Sequence, residues 1–421
     1  MPSHIMEKVT LGFLPWPVGL AAGATCLLLA LSFLPPQAAG LATVGLALWL
    51  AVSARNVASA PDGLWAVLLF LAAQLLAVLR ADDPGLAAGY ASFLVPGVIL
   101  YVCATRGEPA SDRSWMLAWT ILSFATSVSV LCGWMRVRFG APLLPDEDAA
   151  EAAIRLSGDV LLIVPNDVCL VAILLAFPLG LLMLRPRRFV LALAGAATGL
   201  TFLALAVARS RTGFAVAATE VLVMSLARPQ LLLCLPPLGL FVFIADRLFG
   251  LGVWGKLTFT DSLAFHGVAG RLGLWVAAAR MFGAAPLFGQ GAQSFGPGHW
   301  PYLPSWAPRF PEGHVMWSHN LFLDTLAEQG LTGFGALATM LLLALRNAAR
   351  RAWRASASPG RVPALCGLAT LAGFLLAAGL ELSFIRRFVP VVMFGILGFV
   401  MRESSQANVA KSSVAGCAVN G

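Results

Sequence analysis

Apolar residues run along this chain in blocks too long and too continuous for the one-sided faces of soluble helices. Blocks near 14–34, 37–54, 63–80, 88–105, 114–134, 168–184, 188–208, 213–227, 230–246, 331–346, 362–380 and 384–401 approach the roughly 20 residues a helix needs to cross hydrocarbon. Polar and basic residues are confined to the gaps. The pattern predicts an all-α polytopic membrane protein with about twelve transmembrane helices. Four parts follow: nine spans in 1–246, a long segment at 247–330, three spans in 331–402, and a small, polar, disordered tail at 403–421.

The gaps alternate in charge. One set holds Arg55, then Arg106 with Arg113, then Arg185, Arg187 and Arg188, then Arg228, then Arg346, Arg350, Arg351, Arg354 and Arg361. Short basic loops mark the cytoplasmic side. The other set holds the Pro35-Pro36 turn, the Asp82-Asp83 loop, the 135–167 loop with its acidic centre, and the 247–330 segment. That set faces outward.

Composition sharpens this picture. Hydrophobic residues make up 59% of the chain and charged residues 11%, against about 25% charged in soluble domains. A soluble enzyme on a single anchor is excluded. The net charge of +8 sits largely in the short loops and sets orientation, so it does not point to nucleic acid. Residues 1–10 carry no signal-peptide pattern, so the first apolar block reads as a retained span. Six of the seven cysteines lie inside apolar blocks, and no C-x-x-C pair occurs, so they read as buried free thiols.

Five arginines depart from the charge rule. Arg209, Arg211, Arg271, Arg386 and Arg387 fall at the outward ends of spans or in the outward segment. Arginine suits pyrophosphate because its permanent charge comes with two parallel hydrogen-bond donors. Arg209-Ser210-Arg211-Thr212-Gly213 closes one span and opens the next; the competing role for its arginines is to anchor helix ends. Residues 271–282 read as an amphipathic helix lying against the membrane. At 3.6 residues per turn, Arg271 and Arg280 occupy opposite faces of it. The aromatics between Pro286 and Trp317 form either an interfacial belt or flat faces for stacking on sugar rings.

Ser318-His319-Asn320 precedes the apolar run Leu321-Phe322-Leu323. Ser318 is the expected N-cap, which places His319 in the first helical turn. There it is a candidate general base for a hydroxyl, or simply a donor to a loop carbonyl. His266, His299 and His314 show no metal-ligand spacing. Asp146-Glu147-Asp148 contains a D-x-D pair able to hold a divalent ion, within an acidic stretch that otherwise reads as a solvated loop. No metal site and no cofactor are expected.

These pieces together resemble the O-antigen ligase and polymerase superfamily of bacterial envelope glycosyltransferases. The resemblance rests on Ser210-Arg211-Thr212-Gly213, on Gly270-Arg271-Leu272-Gly273-Leu274-Trp275, and on Pro286-Leu287-Phe288-Gly289-Gln290-Gly291. It rests also on Ser318-His319-Asn320-Leu321-Phe322-Leu323 running into Glu328-Gln329-Gly330-Leu331-Thr332-Gly333. In detail it covers about residues 200–346.

The resemblance implies a GT-C type transferase in the bacterial inner membrane, with a long periplasmic segment and an active site facing the periplasm. The donor would be a glycan on undecaprenyl pyrophosphate, and the acceptor lipid A–core for a ligase or another lipid-linked repeat for a polymerase. Ligase-like members are considered metal-independent, with arginines in place of the cation. The carry-over assigns His319, Arg211 and Arg271 to catalysis. Arg209, Arg386 and Arg387 join as substrate-binding candidates on charge placement, with Asn320 and Trp275 beside them. A compact outer cluster and one dominant outer segment favour the ligase. A flippase for lipid-linked glycans is the competing class; its arginines would face a cavity within the spans, and no internal repeat supports it. Membrane lipids are the remaining partner.

Overall fold

The computed structural model describes residues 63–106, 112–138, 168–249, 268–308, 317–355, 360–386 and 388–402. The first two expected spans, the D-x-D stretch, Arg387 and the 403–421 tail lie outside the described residues.

The described residues are helical and contain no strand. In chain order the helices are α1 (Leu64–Leu79), α2 (Pro84–Ala91), α3 (Leu94–Arg106), α4 (Asp112–Arg138), α5 (Cys169–Ile173), α6 (Ala176–Leu184), α7 (Arg188–Ala208), α8 (Arg211–Ser225), α9 (Leu235–Phe249), α10 (Val268–Ala284), α11 (Phe295–Gly298), α12 (Leu321–Arg354), α13 (Arg361–Leu380) and α14 (Phe388–Arg402). Among the described residues, five helical stretches are long and apolar enough to cross a membrane: Pro84–Val102, Asp112–Met135, Arg188–Ala208, Leu321–Arg354 and Arg361–Leu380. Leu64–Leu79, Cys169–Leu184 and Phe388–Arg402 are shorter apolar helices. The expected spans 213–227 and 230–246 correspond to α8 and α9, outside both groups. Their outer faces keep large apolar residues such as Leu222, Leu240 and Leu248 exposed, as do Leu75, Leu79 and Phe189 on α1 and α7. Water would penalise such surface and lipid does not.

Packing centres on α8, α12 and α13. α13 lies between α8 and α12, while α1 and α10 pack on α12 and α4 packs on α7. The core is filled by Phe70, Phe177, Phe374, Phe394 and Phe399 with many small residues between them; small residues let helices approach closely in lipid. A carboxyl side chain sits inside it. Glu220 of α8 is fully buried, and its Oε2 accepts from the Ala176 N–H at 2.6 Å. That N–H is left without an intrahelical partner where α5 breaks into α6.

The long segment and the span after it join through a kink. Gly330, at the expected boundary between loop and span, is non-helical (φ 63°, ψ −157°) and divides α12 into two helices that meet at a kink. The kink frees the carbonyls of Ala327 and Glu328 and the N–H groups of Leu331 and Thr332. The Pro286–Gly291 turn satisfies all four. Gln290 N donates to Ala327 O and Gly291 N to Glu328 O, both at 2.9 Å, while Leu331 N donates to Pro286 O at 2.8 Å and Thr332 N to Leu287 O at 3.1 Å. Gly330 and Gly289 (φ 69°) face each other across this junction. A Cβ on Gly330 would come within 2.6 Å of Leu287 and Gly289 backbone, and one on Gly289 would strike Glu328 backbone. Both glycines are therefore required twice, by left-handed φ and by close approach. The P-L-F-G-x-G and E-x-G motifs are the two halves of one joint.

Candidate functional site

Three helix ends converge beside α10. The first is the α7–α8 junction. Arg209 closes α7 in the left-handed region (φ 52°), and Ser210 caps α8 by accepting from Gly213 N at 3.1 Å. Arg211 and Thr212 are thus the first residues of α8. The second is the start of α12, and the third is the end of α13, where Glu381 is the C-cap.

Glu381 is the centre of the cluster. Its side chain is 5% exposed. Oε1 accepts from Arg271 Nη2 of α10 at 2.6 Å and from Thr212 Oγ1 at 3.0 Å. Oε2 faces His319 Nδ1 at 3.7 Å, longer than an ordinary hydrogen bond. Burial pushes the Glu381 carboxyl up. The neighbouring His319 ring, the Arg271 charge and the Thr212 hydroxyl outweigh burial and hold it below the ordinary carboxylate value. Carboxylate, guanidinium and imidazole therefore form one charged unit where the helix ends meet.

The loop bearing His319 is held on every side. Ser318 is not the N-cap, contrary to expectation. Asn320 takes that position, its Oδ1 accepting from Phe322 N at 3.0 Å and Leu323 N at 3.1 Å. Its Nδ2 donates to Gly379 O at 2.8 Å, which ties the start of α12 to the end of α13. Ser318 N donates to Asp324 Oδ1 at 2.8 Å, and Trp275 Nε1 donates to Ser318 O at 3.1 Å. His319 consequently precedes the helix instead of sitting in its first turn, and adopts φ 60°. A non-glycine residue in that region needs its surroundings to hold it there, a pattern concentrated at functional sites.

An aromatic tier covers the imidazole. The Trp317 and His319 rings lie 5.1 Å apart, and Arg386 Cζ sits 4.8 Å from the Trp317 centroid. Cation, indole and imidazole follow one another.

The candidate residues thus divide. His319 and Arg271 meet at Glu381. Arg211 is the immediate neighbour of Thr212, which touches the same carboxylate, and Arg386 joins through Trp317. Arg209 is exposed. Trp275 and Asn320 have their polar atoms bonded to backbone, Trp275 at Ser318 and Asn320 at Phe322, Leu323 and Gly379. Arg280 points elsewhere, donating to Tyr302 O at 3.1 Å, in keeping with its place on the opposite face from Arg271.

Glu381 and Asp324 are residues that sequence reasoning missed. The available signal was a carboxylate at the end of one apolar block, with arginines at the ends of others. Among the described residues, no group of three His, Cys, Asp or Glu side chains is placed to hold a metal ion.

No family model matches the chain, and no curated protein matches it.

Proposed function

We propose that this chain is an O-antigen ligase of the GT-C type. It transfers a glycan from undecaprenyl pyrophosphate to lipid A–core on the periplasmic face of the bacterial inner membrane, with inversion and without a metal. The observation that carries this reading is the junction of Arg271, His319 and Thr212 on Glu381. It supplies a cation, an imidazole and an orienting carboxylate at one place.

In this mechanism the acceptor hydroxyl attacks C1 of the donor sugar while the C1–O bond to pyrophosphate breaks. The hydroxyl proton passes to His319. Negative charge grows on the leaving pyrophosphate, where Arg211 and Arg271 stabilise it electrostatically. Glu381 orients the His319 ring and stabilises the imidazolium that proton uptake creates, as a third group does in other nucleophile–base pairs. Arg271 is shared between Glu381 and the donor. Its side chain keeps 31% exposure, which leaves guanidinium surface for an anion. Trp317 and Arg386 offer a stacking face beside the base.

The test is to supply purified protein with undecaprenyl-pyrophosphate glycan and lipid A–core together. A gel shift of lipid A–core is the expected result. Elongated lipid-linked glycan in its place would make the protein a polymerase. Movement of labelled lipid across a vesicle bilayer, with no covalent change, would make it a flippase.

A further inference from the structure

His319 and Glu381 sit on two chain segments that are fastened to each other on both sides. On one side Asn320 Nδ2 donates to Gly379 O at 2.8 Å. Asn320 follows His319, and Gly379 precedes Glu381 by two residues. On the other side stands Asp324, in the first turn of α12. Its Oδ1 accepts from Ser318 N at 2.8 Å, and the Ser383 side chain engages the same carboxyl. Ser318 precedes His319, and Ser383 follows Glu381 by two residues. The fastenings therefore bracket the imidazole and the carboxylate: Ser318 and Asn320 stand about His319, Gly379 and Ser383 about Glu381.

A short carboxyl side chain suits this position. Asp324, Ser318 and Ser383 are all buried, and a buried carboxyl is costly unless donors meet it. In the first turn of α12 it also faces the positive end of the helix dipole. Its two partners belong to different segments, so one side chain ties the Ser318–Asn320 turn to the Glu381–Ser383 turn. The tie matters at His319, whose φ of 60° needs neighbours to hold it. His319 Nδ1 and Glu381 Oε2 stand 3.7 Å apart, a spacing that a small shift of either turn would change.

We propose that Asp324 is a positioning residue for the transfer reaction: through Ser318 and Ser383 it sets the His319 imidazole against the Glu381 carboxylate, without touching substrate. The proposal rests on the glycosyl-transfer reading for the chemistry that His319 performs. The placing of the imidazole does not depend on that reading and is measured separately.

The experiment uses the full chain with isotope-labelled histidine, whose five imidazole signals are sorted with His319→Ala. Parent protein is compared with Asp324→Ala, Asp324→Asn and Ser383→Ala by imidazole NMR and by steady-state transfer. Asp324→Ala should move the His319 signal and lower kcat about a hundredfold, the scale of an ångström-sized misplacement, with both KM values near parental. Asp324→Asn keeps an acceptor oxygen for Ser318 N and should restore the signal and most of kcat. Ser383→Ala should move the same signal by less, and it decides the outcome if Asp324→Ala does not fold. A parental His319 signal in the deciding variant would overturn the proposal. So would a lower melting temperature with kcat unchanged, or a rise in KM with kcat held. A displaced His319 signal with no transfer product from the parent would keep the positioning role and remove the glycosyl-transfer reading.

Discussion

Arg271 Nη2 and Glu381 Oε1 meet at 2.6 Å although 110 positions separate them in the chain. The contact joins α10, within the long segment, to the end of α13. It also makes the proposed pyrophosphate clamp and the proposed base parts of one network, since His319 and Thr212 adjoin the same carboxylate.

Stability should follow the charge of Glu381. Its folded carboxyl titrates below the ordinary glutamate value of 4.5, so its contribution is fully present above that value and is lost as pH falls through the folded value. Glu381→Gln should cost about 1–2 kcal/mol at pH 7, toward the modest end because Arg271 remains partly hydrated. Thermal melts in detergent should show the gap between parent and variant closing as pH falls below 4.5. A gap that widens with acid would contradict the assignment.

The arginines should act through geometry as well as charge. Arg211→Lys and Arg271→Lys each keep the charge and lose the planar fork. Each should lower kcat about a hundredfold, the scale of losing one preorganised donor. Near-parental turnover for Arg211→Lys would sink bidentate phosphate binding by that residue.

Asn320 should matter without touching substrate. Asn320→Ala removes a helix cap and the bond to Gly379, a loss of about 1–2 kcal/mol. Because the cap positions His319, kcat should fall while both KM values stay near parental. A selective rise in one KM would return Asn320 to the binding surface.

The joint at Gly330 offers a structural control. Gly330→Ala meets both left-handed φ and the backbone of Leu287 and Gly289, and should lower stability by roughly 1–3 kcal/mol. Gly335, five residues along the same helix, has open space where a Cβ would stand, with no atom within 4 Å. Gly335→Ala should change stability by less than about 1 kcal/mol. Equal melting shifts in the two variants would argue against the kink.

Hydrophobic blocks are a local signal, and the helices α4, α7 and α13 follow the expected blocks closely. Long-range pairing left weaker traces. Ser318 and Asn320 are both capping residue types, and the choice between them depends on Asp324 holding Ser318 N and on Gly379 receiving Asn320 Nδ2. Neither contact is visible in a window of sequence. Glu381 stands between Leu380 and Leu382 and reads locally as a span boundary; its meaning emerges only once Arg271 and Thr212 arrive from other helices. Trp275 reads in the sequence as a substrate-binding candidate, and in the fold its indole N–H donates to Ser318 O.

The most direct test of the central claim is transfer to lipid A–core in the presence of EDTA, with His319→Ala run beside the parent. The account predicts glycosylated acceptor from the parent and a rate lower by about 10²–10⁴-fold from the variant. Transfer that requires added Mg²⁺, or that proceeds at the parental rate without His319, would contradict it.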